Sequence, residues 1–108
     1  MTQTRINAVL HRISDLFADV EDENKRAERV VVSGPTLAFL SSEREFMDGA
    51  SLESRPDWEE SGLRGTFWNA QIYVNENVPD DHVVVLPEGD QTVITRTWAP
   101  APGQLSPL

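Results

Sequence analysis

Cysteine is missing from all 108 residues. That absence excludes a disulfide framework, thiolate metal sites and cysteine nucleophiles, so the fold has to hold by packing alone. Histidine is nearly as scarce: His11 and His82 are far apart and offer no paired ligand spacing along a helix, so no metal site is expected. The run Asp80-Asp81-His82 reads as turn chemistry, because neighbouring acids favour a turn. Basic residues are few, nine against eighteen acids, for a net charge of −9. Long-range repulsion then disfavours binding to nucleic acid or to an anionic membrane. No apolar run approaches the roughly 20 residues that cross a bilayer, and the N-terminus lacks a basic-then-apolar signal pattern. The expectation is a soluble, unexported protein.

Catalytic signatures are missing too. There is no Gly-x-Ser-x-Gly elbow. Ser33-Gly34-Pro35 lacks the lysine and second glycine of a phosphate-binding loop, and Asp19–Asn24 lacks the glycine and terminal glutamate of a calcium loop. No catalytic residue, cofactor, metal or small-molecule substrate is therefore expected, and the chain reads as a non-enzyme.

What is present is periodic. Ile6, Val9, Leu10, Ile13, Leu16, Phe17 and Val20 recur at three- and four-residue steps, which predicts an amphipathic helix. Its stripe serves either this chain's own core or, in part, a neighbouring chain. Arg29-Val30-Val31-Val32-Ser33 is too short for a helix and rich in β-branched residues, so it predicts a buried strand. Pro35, with Ser33 near the cap, then opens a second helix, possible in two pieces, carrying Leu37, Phe39, Leu40, Phe46 and Met47. Breakers and acids from Asp48 to Gly62 predict a loop. Trp58 is its one large apolar residue, either pinning the loop to its own domain or anchoring another subunit.

Gly65–Val74 and Val83–Leu86 are β-rich runs joined through Val78-Pro79-Asp80-Asp81, and they predict two strands and a tight connection. Phe67 and Trp68 are adjacent, so in a strand they face opposite sides; Trp68 is expected in the core, with Asn69-Ala70 as a turn or bulge. Pro87–Asp90 predicts a hairpin into a further strand, Gln91–Trp98, at an edge or interface. Prolines at 100, 102 and 107 make Ala99–Leu108 an extended tail. The chain therefore reads as α+β: an amphipathic N-terminal helix, a short buried strand, a second helix, antiparallel hairpins, and a tail. One domain over residues 1–98 and a tail over 99–108 fit this length, at which roughly 65% of the unfolded surface is buried.

In this order, the Val-Val-Val-Ser strand, Gly-Pro, the Leu-Ala-Phe-Leu helix, the Phe-Met-Asp-Gly end, Gly-Leu-Arg-Gly-Thr-Phe-Trp-Asn-Ala-Gln-Ile-Tyr-Val and Val-Pro-Asp-Asp-His-Val-Val-Val-Leu form a pattern. It resembles the second half of tailed-phage major capsid proteins, including the T-even-like branch, whose fold is shared with encapsulin shells. The resemblance covers residues 5 to 90 and implies the axial domain and part of the peripheral domain of a shell subunit. The family's N-terminal arm and extended hairpin have no counterpart here, and Val-Leu-Pro-Glu-Gly-Asp replaces the T-even-like Gly-Tyr-Lys-Gly ending. The implied function is a non-enzymatic virion component that associates with itself or with other virion proteins, located in the virion and, during assembly, in the host cytoplasm. The candidate interface residues are Trp58, Trp68, Tyr73 and Trp98, since aromatics are favoured where apolar area meets a polar rim. The acidic charge supports a different class, a small inhibitor that occupies a basic nucleic-acid-binding surface of a host enzyme.

Overall fold

The computed structural model describes residues 2–53 and 62–108. Helix α1 runs from Thr2 to Glu21. Ile6, Val9, Ile13 and Phe17 are buried on one stripe, as the 3.6-residue repeat requires, and pack into this chain's own core. Asn24 closes the helix in the left-handed region (φ 61°), where asparagine is tolerated.

Strand β1 (Ala27–Val32) follows and is the centre of the molecule. Val30 and Val32 face the helices, while Val31 faces the opposite side of the sheet. A strand buried on both faces has no polar alternation, which is why it reads as an unbroken apolar run. Helix α2 (Gly34–Ser41) starts at Ser33, whose Oγ accepts from the Thr36 amide at 3.2 Å, and Pro35 occupies its first turn. A short helix, α3 (Arg44–Met47), completes the two-piece arrangement.

Four strands remain before the C-terminal segment ends: β2 (Ala50–Leu52), β3 (Leu63–Phe67), β4 (Ala70–Val74) and β5 (His82–Pro87), with a two-residue β6 (Ser106–Pro107) at the edge. The sheet order is β2-β3-β4-β1-β5-β6; β1 and β4 run parallel and every other pair antiparallel. The fold is α+β. Helices cover one face. The other buries Val31, Val78, Val84, Leu86 and Ile94.

Several expectations change. The run Gly65–Val74 is two strands, turning at Trp68-Asn69, one residue before the expected place. The runs ending at Val74 and beginning at His82 are not neighbours, because β1 lies between them. Part of the expected Asp48–Gly62 loop is strand β2, whose backbone pairs with β3; three residues among breakers carry no readable period. Gln91–Trp98 is not a strand: its carbonyls are taken by side chains instead of a ladder. The Pro87–Asp90 turn therefore opens a strap and not a hairpin. Ala99–Leu108, finally, is extended around a single 3-10 turn at Pro102–Gln104 but docks back on the sheet, with Val83 paired to Ser106 and the Leu108 amide donating to Asp81 O at 2.9 Å. Its two leucines supply the reason: Leu105 and Leu108 pack against the buried clusters.

Candidate interaction surfaces

The β3–β4 turn places Trp68 at the rim of the sheet. Phe67 and Ala70 are paired, and the two residues between them both have positive φ, 48° for Trp68 and 67° for Asn69. That is the signature of the tightest hairpin turn, where asparagine and glycine are the favoured residues and an aromatic side chain is strained. Trp68 is therefore no core residue. It is 40% exposed, and its indole folds back onto its neighbour Phe67 (4.2 Å between ring centroids, 27°) with an edge contact to Phe17 at 5.6 Å. The alternation rule fails because residue 68 is a turn residue, not a strand residue.

Gly49 makes room for this arrangement. A Cβ there would stand 2.7 Å from the indole Nε1, and Gly49 O accepts from the Trp68 amide at 3.1 Å. Met47, at the end of α3, is 37% exposed. Two large apolar side chains, one on a strained backbone, thus stand partly in water.

Tyr73 and Trp98 lie elsewhere. Both pack against the second-face cluster around Val31, Val84 and Leu86, on the side away from the helices. Burial raises the Tyr73 phenol pKa, with Arg29 opposing and Glu28 adding to the shift, and its hydroxyl donates to Gln71 Oε1 at 3.1 Å. The structure therefore brings Tyr73 and Trp98 into one cluster and leaves Trp68 apart from them. Trp58 lies outside the described residues.

Sequence reasoning passed over the polar residues that hold residues 90–98 in place. Arg29, only 12% exposed, donates from Nη1 to Thr92 O and from Nη2 to Asp90 O at 2.6 Å, with the Asp90 carboxylate 3.7 Å away. Asn75 Nδ2 donates to Thr95 O (2.9 Å) and Trp98 O (3.0 Å), and Asn77 Nδ2 to Trp98 O (2.9 Å). Asp90 accepts from the Thr92 amide at 2.8 Å, and hydrogen bonding from Thr92 holds its carboxyl below the usual aspartate range. The available signals were an arginine opening a valine run and two asparagines ending another.

A polar knot joins α2 to the β4–β5 connection. Ser33 Oγ donates to Asp80 Oδ1 at 2.8 Å and lies 2.8 Å from Thr36 Oγ1, which accepts from the Asp81 amide at 3.0 Å. The His82 ring meets the backbone oxygen of Asp80, not Ser33, so no nucleophile–base pair forms there. Among the described residues no group of three His, Cys, Asp or Glu side chains is placed to hold a metal ion, and no helix is long and apolar enough to cross a membrane. An apolar void of about 10 Å³ between Ile13, Leu40, Phe46 and Ile72 is too small for a substrate.

Compared with protein-family models, with curated proteins and with solved structures, the chain matches none of them.

Proposed function

We propose that the chain is a non-enzymatic structural protein of a phage virion, a capsid-type module that acts by self-association or by docking to other virion subunits. Trp68 carries the reading. A large aromatic residue occupies a turn position that local chemistry reserves for asparagine or glycine, and it keeps 40% of its surface in water. Where a sequence keeps a residue that breaks a local backbone rule, function is the place to look. Met47, two residues before the Gly49 that contacts the indole, is also 37% exposed, and aromatic anchors such as Trp68 dominate interface energetics. The sequence resemblance over residues 5–90 is what suggests a shell-type module.

The acidic-inhibitor reading draws on the net charge of −9. Salt separates the two. Docking through Trp68 and Met47 changes little with added salt, whereas binding led by carboxylates weakens steeply as the Debye length shrinks. Sedimentation of the wild-type chain and of Trp68→Asn, across a range of concentrations and at two ionic strengths, tests the reading. Association that is salt-tolerant and weakened in the variant is expected; a chain that stays monomeric throughout contradicts self-association.

A further inference from the structure

The second face of the sheet is covered by the chain's own residues 90–108, and the way they are held is unusual. Along residues 91–105 no ladder joins the strap to the sheet. Its carbonyls at 90, 92, 95 and 98 accept from Arg29, Asn75 and Asn77, while Ile94, Trp98 and Leu105 sit on Val31, Val78, Val84 and Leu86. At the far end β6 pairs with β5, and Arg12 Nε donates to Pro107 O at 3.4 Å. The contacts that hold the strap on the sheet thus run between body and strap, while the bonds within it, such as Trp98 N to Thr95 O, travel with it.

One tight turn joins the two. Asp90 N donates to Pro87 O at 3.2 Å, and Gly89 has φ +83° with nothing within 4 Å of where a Cβ would stand. A short hinge, a stiff proline-containing arm and a self-contained set of contacts are the conditions under which a segment exchanges between identical chains. Opening the strap alone would leave Val31, Val84 and Leu86 in water. Exchange restores each contact.

We infer that this face is an extended-segment binding surface whose partner is residues 90–108 of a second copy of the same chain, so that two copies associate by exchanging straps across the Glu88-Gly89 hinge. The occupant is specified by the strap itself: an extended segment with apolar anchors at the positions of Ile94, Trp98 and Leu105 and free carbonyls facing one arginine and two asparagines. Exchange is independent of docking through Trp68 and stands if that docking fails.

The missing cysteines provide the test. His82 and Pro107 are directly opposed across β5 and β6, a separation that a disulfide can bridge. His82→Cys and Pro107→Cys are made as two separate full-length chains, mixed at high concentration and treated with a mild oxidant. Neither chain can close the bond within itself. Strap exchange brings the two thiols together, so the mixture gives reducible covalent heterodimers at least about ten-fold faster than either chain alone. Adding Arg29→Leu to both chains raises that rate, because the clamp holds the closed and the exchanged forms alike and its loss eases only the opening of the strap. A mixture that cross-links no faster than the single chains, while circular dichroism shows both folded, overturns strap exchange. Retention of that result in Trp68→Asn chains separates it from docking at the hairpin tip.

Discussion

The indole of Trp68 stacks on the ring of Phe67, the residue before it in the chain, at 4.2 Å. Successive residues of a strand point to opposite faces, so this contact exists only because Trp68 has left the strand and turned into the left-handed region at φ 48°. Phe67 itself is buried and stacks on Phe46 at 4.6 Å. The pair thus divides the work: Phe67 builds the core, and Trp68 covers its end while keeping part of its surface in water.

The first prediction concerns that division. Trp68→Asn removes ring contacts worth about 0.5–1.5 kcal/mol each but relieves left-handed strain of about 1–2 kcal/mol. Urea unfolding should therefore show a net loss below about 2 kcal/mol. A loss of about 3–5 kcal/mol, as for a core aromatic, would return Trp68 to the core.

Ile13 gives the contrasting case. It is buried on α1 beside the void lined by Leu40, Phe46 and Ile72. Ile13→Ala enlarges a space that is already imperfectly filled and should cost about 2–5 kcal/mol, measured as a shift in the urea midpoint at constant m. A loss under about 1 kcal/mol would mean that the α1 stripe is not packed in this chain's own core.

The strap depends on Arg29. Arg29→Met leaves the carbonyls of Asp90 and Thr92 without their donor, at a cost of about 2–3 kcal/mol for charge-assisted bonds. Arg29→Lys recovers only part, since an ammonium cannot span both oxygens as the planar fork does. Faster amide exchange confined to residues 90–105 is the expected signature in hydrogen-exchange measurements; uniform exchange across the sheet would assign Arg29 to global stability instead.

Low pH should loosen the same segment. The Asp90 carboxyl is held low by hydrogen bonding from Thr92, so its folded pKa lies below the unfolded value of about 3.9. Its contribution is complete above that unfolded value and is lost as pH falls through the folded one. Asp90→Asn should flatten this acid limb of strap protection while leaving the neutral-pH fold intact. An unchanged acid limb in Asp90→Asn would remove Asp90 as its source.

Legibility in the sequence followed burial. The α1 stripe, the Val30–Val32 strand and the Ser33 cap were readable because each is fixed by contacts within a few residues or by a single period. The order of the sheet was not, since a parallel β1–β4 pair is decided by a long crossover and leaves no local mark. Gln91–Trp98 has the composition of a strand, yet Arg29 and Asn75, distant in sequence, take its carbonyls. Trp68 misled because alternation assumes a strand, and two positive φ values at Trp68-Asn69 end it. Among the described candidate contact residues, Trp68 is the one that the fold leaves on display; Tyr73 is half-buried beneath the strap and Trp98 half-buried as part of it.

Sedimentation velocity on wild-type protein and on Trp68→Asn, at rising concentration and at low and high salt, tests docking through the hairpin tip most directly. Concentration-dependent association beyond the strap-exchanged dimer, which persists in high salt and disappears in the folded variant, is the predicted result. Wild-type protein that remains a monomer at every concentration, or a variant that associates as the wild type does, would contradict it.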